Sequence, residues 1–149
     1  MARLKTKLKE PKRMISRAFE NVILSSVLGG NKDNIPSNYY VGLCNNIDIN
    51  RDMTLADLSE TTGTGYARQS ISGWQEPKDQ PDCQSIRSNE VIFKSTGETD
   101  DWSGFSRMFL TDSESGTTGK LLAISTAMPN DVSLKAGASY PAVFELYLK

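Results

Sequence analysis

The spacing of apolar positions changes as the chain is followed from its N-terminus. Ile15, Phe19, Val22, Ile23 and Val27 fall at i, i+4, i+7, i+8 and i+12, and Leu24 and Leu28 widen the stripe. That period puts them on one face and predicts an α-helix over residues 14–28. Gly29 and Gly30 follow, and glycine just past a helix permits a left-handed C-cap. The stripe is expected to pack on the sheet's core; the alternative is that part of it packs on another subunit. From residue 39 onward the helical period disappears. Residues 39–44 read as a buried strand and residues 66–72 as an alternating one. Shorter strands are predicted over residues 91–94, 105–110, 121–127 and 132–134. At the C-terminus Ala142, Phe144, Leu146 and Leu148 share one face, as in a paired strand. Residues 72–88 read as irregular.

Together these segments make about six to seven short strands separated by turn-rich stretches, after a single N-terminal helix. The expected class is mainly β, an antiparallel β-sandwich or barrel. Strands and helices do not alternate, which argues against a parallel α/β sheet. The 149 residues fit one domain. Its expected division is a basic arm over residues 1–13 and a β domain over residues 14–149. No apolar run reaches the ~18 residues of a membrane-spanning helix. The N-terminus carries no apolar signal-peptide core. Folding in a cytoplasm is the expectation, with Cys44 and Cys83 as unpaired thiols.

The net charge of −1 hides a split. Residues 1–17 carry Arg3, Lys5, Lys7, Lys9, Lys12, Arg13 and Arg17 against Glu10 alone, a net of +6. The remainder carries ten basic and seventeen acidic residues, a net of −7. A basic arm on an acidic body points to an interaction tail rather than a merely solvated one. It contains no aromatic residue to stack on bases, so a protein neighbour is favoured over nucleic acid. These seven cations are the candidate partner-docking residues.

The chain has no histidine, which removes imidazole acid–base catalysis, Ser–His and Cys–His nucleophile pairs, and imidazole zinc ligands. Gly63-Thr64-Gly65 lacks the third glycine and following helix of a dinucleotide site. Asp100 and Asp101 beside Trp102 are the best carboxylate pair for glycoside chemistry, and read as a solvated turn. Residues 45–65 form a long loop holding Asp48, Asp52, Asp57 and Glu60, without the alternating spacing of a calcium loop. Within it Thr54 is placed to cap one helical turn, with Asp57 three residues on. No catalytic residue, metal ligand or cofactor site is predicted. Trp74 is read as a core lid or an interface contact, and Trp102 as an interface contact.

The most distinctive stretch is the corner Gly63-Thr64-Gly65-Tyr66-Ala67-Arg68. Its glycines permit a turn, Tyr66 is expected to pack, and Arg68 to pair with Asp57 or Glu60. The corner also sits in a recognisable order of motifs. A helix ending in Gly-Gly leads to Tyr40-Val41-Gly42-Leu43, then Leu55-Ala56-Asp57-Leu58-Ser59-Glu60, then the corner. Val91-Ile92-Phe93, Leu110-Thr111-Asp112-Ser113-Glu114-Ser115-Gly116 and Lys120-Leu121-Leu122-Ala123 follow. This order resembles a family of small tailed-bacteriophage virion proteins labelled structural, tail-fibre or decoration proteins. The resemblance spans residues 16–149, and Gly65-Tyr66-Ala67-Arg68 is its most specific part. The basic arm and residues 75–88 are longer than the family pattern. The resemblance implies a non-enzymatic virion structural protein, above all a capsid decoration (cement) protein. Its partners would be the major capsid protein or neck and tail proteins, and it would be a homo-oligomer in the particle, with no direct nucleic acid or membrane contact. The alternatives are a neck, tail or fibre-base adaptor, and a glycan-binding receptor module using Trp74, Trp102 and the acidic turn.

Overall fold

The computed structural model describes residues 13–148. Arg3, Lys5, Lys7, Lys9 and Lys12 therefore lie outside the described residues. The chain opens with a two-residue strand β1 (Met14–Ile15) and helix α1 (Arg17–Val27). Strands β2 (Tyr40–Cys44) and β3 (Gln69–Ser70) flank a long loop containing one 3-10 turn, Leu55–Asp57. Then come β4 (Lys78–Asp79), β5 (Gln84–Arg87), β6 (Val91–Lys94) and β7 (Arg107–Thr111). The last strands are β8 (Leu121–Ile124), β9 (Ser139–Ala142) and β10 (Glu145–Leu148). They form three antiparallel sheets, in the orders β1-β8-β7-β2-β3, β10-β5-β4 and β6-β9. The mainly β, sandwich-like class holds, and none of these sheets closes into a barrel.

The five-stranded sheet is apolar on both faces, because each face has its own cover. Val41, Leu43, Leu110 and Leu122 join Phe19 and Val22 of α1, Val91 and Phe93 of β6, and Phe144 in the larger core. Cys44, Phe109, Leu121 and Ile124 form a second core with Ile49 and Leu55 of the long loop. The acidic loop is thus a lid: its scattered apolar residues cover a sheet face that would otherwise meet water. Thr54 and Asp57 make the predicted capping box, with the Thr54 N–H donating to Asp57 Oδ2 at 2.8 Å.

Several expectations need correction. The helix starts at Arg17, since Met14 and Ile15 pair with Ile124 and Ala123 at the sheet edge. Ser16 caps it, its Oγ accepting from the Phe19 N–H at 3.1 Å. The helix ends at Val27, and Gly30 supplies the left-handed residue (φ 69). The strand predicted over 66–72 shrinks to β3, because Tyr66 to Arg68 turn their polar ends toward Glu60. Residues 72–88 are not wholly irregular. They hold β4 and β5, whose polar sequences gain strand geometry from pairing with each other and with β10. The predicted strand over 121–127 stops at Ile124, and the one over 132–134 is reduced to a bridge between Val132 and Phe105. The C-terminal strand is two strands: β9 pairs with β6, the chain switches sheets at Val143 and Phe144, and β10 pairs with β5. Leu148 is consequently exposed. Among the described residues there are ten short strands for this reason, against the expected six to seven.

Both cysteines are free thiols. Cys44 is fully buried, and burial pushes its thiol up to about 11, only partly offset by the Asn46 backbone N–H and Arg107. Cys83 is half-buried. In native protein at pH 8 a thiol reagent is expected to modify Cys83 and leave Cys44, and denaturant should expose both. The raised Cys44 value contributes stability below the ordinary thiol range, and that contribution is lost as pH rises toward 11. Rapid native labelling of both thiols would contradict this assignment.

Candidate functional site

The corner ahead of β3 is a partly buried polar junction. Gly63 has φ 154, and a Cβ there would sit 2.1 Å from Trp102 Cδ1. Gly65 has φ 84, which L side chains rarely adopt. The two glycines let the backbone close over the indole, whose Nε1–H donates to the Thr64 carbonyl at 2.9 Å. Tyr66 meets Trp102 edge-on, with ring centroids 5.3 Å apart, and lies parallel to Phe93 at 6.3 Å. Its hydroxyl accepts from the Leu43 N–H at 3.0 Å and donates to Glu60 Oε1 at 2.8 Å. Burial, helped by the Glu60 charge, pushes the Tyr66 phenol far above its ordinary range and keeps it a donor.

Arg68 is the hub. Its Nε and Nη2 donate to the two Glu60 oxygens at 2.9 and 2.8 Å, a bidentate pair. Nη1 donates to the Ser113 carbonyl at 3.0 Å, and Nη2 to the Gly116 carbonyl at 2.8 Å. The sequence left Asp57 and Glu60 open as partners. Glu60 is the one used, because it bridges Cys44 at the end of β2 while Asp57 caps Thr54. One guanidinium thus ties the acidic loop, the corner and the loop after β7 together. The arrangement holds segments in place, and the hydrogen bonds of Glu60, Tyr66 and Arg68 all run to one another or to backbone.

The other sequence candidates scatter. Trp102 is 1% exposed, so its reading as an interface residue is corrected: the closing corner buries it. Trp74 is half-buried, edge-on to Tyr39 at 5.9 Å. The two tryptophans therefore make no shared exposed platform for a sugar ring. Asp100 accepts from Thr64 Oγ1 at 2.6 Å, and that bond holds its carboxyl below the usual range. Asp101 accepts from Lys135 Nζ and from the Ala136 N–H, both at 3.0 Å, with the same effect led by Lys135. Both carboxylates fasten turns. In the acidic loop Asp52 pairs with Arg17 at 2.6 Å, both side chains remaining exposed. Among the described residues, no group of three or more Cys, Asp or Glu side chains is placed to hold a metal ion.

Two further features bear on function; the sequence offered the first as a subunit contact and missed the second. The first is the far end of α1. Leu24, Val27 and Leu28 are 58%, 73% and 81% exposed, and residues 21–31 contain no charged side chain. Three of the seven residues of the predicted stripe therefore face outward. Its run of glycines and serines next to leucines was the available signal. The second is a groove of about 500 Å³ where the arm enters the body, lined by Met14, Ile15, Met108, Ile124, Val143 and Leu146 among others. At its rim the Arg13 guanidinium lies 3.8 Å from the centre of the Tyr147 ring. No protein-family model matches the chain, and no curated protein sequence does.

Proposed function

We propose that this chain is a non-enzymatic virion structural protein, used as a decoration protein on a phage capsid and attached through its basic N-terminal arm. The observation that carries the reading is the exposed, charge-free end of α1, with three large aliphatic side chains in water. Contiguous exposed apolar surface of this kind marks a protein–protein interface. The +6 segment on a −7 body adds a second, electrostatic means of attachment. The order of motifs around Gly65-Tyr66-Ala67-Arg68 supplies the virion context.

Electron cryo-microscopy of the particles that carry this chain tests the proposal. Density for it over the capsid lattice supports the reading. Density confined to a neck or tail ring, with a matching copy number, overturns the decoration role in favour of an adaptor. A companion test addresses the arm. Replacing Arg3, Lys5, Lys7 and Lys9 with serine is expected to weaken incorporation on the order of tenfold at low salt, since exposed ion pairs contribute little each but add. The deficit should narrow as salt rises. Normal incorporation of this variant at low salt would remove the arm from the attachment.

A further inference from the structure

The long loop over the second core is held differently at its base and at its tip. At the base the chain closes on itself and on β2. The Asn45 N–H donates to the Ser59 carbonyl and the Thr61 N–H to the Leu43 carbonyl, both at 2.9 Å. Buried cations reinforce this neck. Arg68 grips Glu60, and Arg107, 7% exposed, donates to the Asn46 and Ile47 carbonyls at 2.8 and 3.0 Å. A closed neck around a compact surface loop is the form of an Ω-loop. The tip is held by the first turn of α1. Arg17 Nε pairs with Asp52 at 2.6 Å, Glu20 pairs with Arg51, and the Arg17 N–H donates to the Arg51 carbonyl at 2.9 Å. The two pairs are crossed, so each helix charge meets its opposite in the loop. Their side chains keep 37% to 69% of their surface in water, and such pairs contribute little each. Beneath the tip, Ile49 and Leu55 are buried against Cys44, Phe109, Leu121 and Ile124.

We infer that residues 48–56 are a lid that swings off the sheet as a unit about its clamped base, with the first turn of α1 as its latch. Opening breaks the two exposed ion pairs and lifts Ile49, Met53 and Leu55 out of the second core. The Arg68 and Arg107 clamps and the larger core stay in place, so the motion is local rather than an unfolding of the domain. It uncovers an apolar face made by Cys44, Phe109, Leu121 and Ile124. The latch lies on the same helix as the exposed Leu24, Val27 and Leu28. A partner that draws α1 aside by that end breaks both pairs at once and frees the lid. The motion does not depend on the virion reading.

Slow native-state labelling of the Cys44 thiol tests it, in the full-length C83S protein so that one thiol is read. Where reclosing outpaces labelling, the rate reports the population with the lid open. Cys44 should be less protected, by about tenfold or more, than the β2 and β7 amides, whose exchange reports opening of the whole sheet. E20Q/D52N removes both ion pairs at nearly constant side-chain size and should lower Cys44 protection about fivefold. V91A leaves a cavity in the larger core, which stays packed when the lid opens. It should lower the amide protection by about tenfold or more and leave that of Cys44 unchanged. Three results would overturn the inference: Cys44 as protected as the amides in the parent, no response of Cys44 to E20Q/D52N, or Cys44 falling with the amides in V91A. The first and third would mean that the thiol is reached only when the whole domain unfolds, and the second that α1 is no latch.

Discussion

Replacing Trp102 with alanine is expected to lower stability by about 4 kcal/mol, the range for deleting a fully buried aromatic side chain. The side chain is 1% exposed and packs under the Gly63–Gly65 corner, so its loss leaves a cavity with few atoms free to fill it. For a domain of this size the midpoint of thermal unfolding should fall by about 10 °C. Trp102→Phe separates packing from hydrogen bonding. It keeps an aromatic ring against Tyr66 but leaves the Thr64 carbonyl without its indole donor, and about 2 kcal/mol is expected. Urea unfolding followed by far-UV circular dichroism measures both. A Trp102→Ala protein within about 1 kcal/mol of the parent would show that the corner does not depend on the indole.

The consequence for function is indirect. A corner held by Trp102 sets where the acidic loop leaves the sheet, and that loop is the cover of the second core. Loosening it exposes Phe109 and Leu121, a further apolar surface that would compete with the α1 end for partners. Loss of particle incorporation in Trp102→Ala should therefore track loss of folded protein. Incorporation lost while the protein remains folded would instead point to a direct contact near the corner.

How far the sequence could be read depends on what fixed each element. The helix was legible because Phe19 and Val22 obey the helical period and bury the face that period defines. Its start was misplaced because Ile15 also fits the stripe, yet the free edge of β8 claims it. β4 and β5 were illegible for a different reason. Gln84, Ser85 and Arg87 carry little apolar signal, and strand geometry there comes from long-range pairing with β10. The C-terminal alternation was real but did not show the change of sheet at Val143 and Phe144, since alternation is unaffected by which neighbour a strand pairs with. In the corner, the roles of Tyr66 and Arg68 followed from residue type: a buried arginine requires a carboxylate. Choosing Glu60 over Asp57 needed the bridge between Glu60 and Cys44, a contact that no local pattern encodes. The burial of Trp102, and hence the loss of a two-tryptophan platform, was likewise decided by the glycines folding over it.

Arg68→Ala is expected to cost about 3 kcal/mol, near the lower bound for breaking a buried ion pair. Arg68 has 3% of its side chain exposed, but Glu60 keeps 29%, and the remaining water softens the penalty on the orphaned carboxylate. The Tyr66 hydroxyl still reaches Glu60, whereas the Ser113 and Gly116 carbonyls lose their donor outright. Arg68→Lys should recover less than half of the loss, because an ammonium cannot serve both Glu60 oxygens and two carbonyls in one planar fork. Glu60→Ala alone removes the carboxylate and strands the guanidinium, so it should be comparably destabilising. The double variant should be about 2 kcal/mol better than the sum of the single variants, the coupling of a directly paired buried couple. Additive losses would mean that Arg68 acts mainly through the Ser113 and Gly116 carbonyls. In that case the junction would be a clamp on the loop after β7 alone. The acidic lid would then be held by Ile49 and Leu55 in the second core without help from charge.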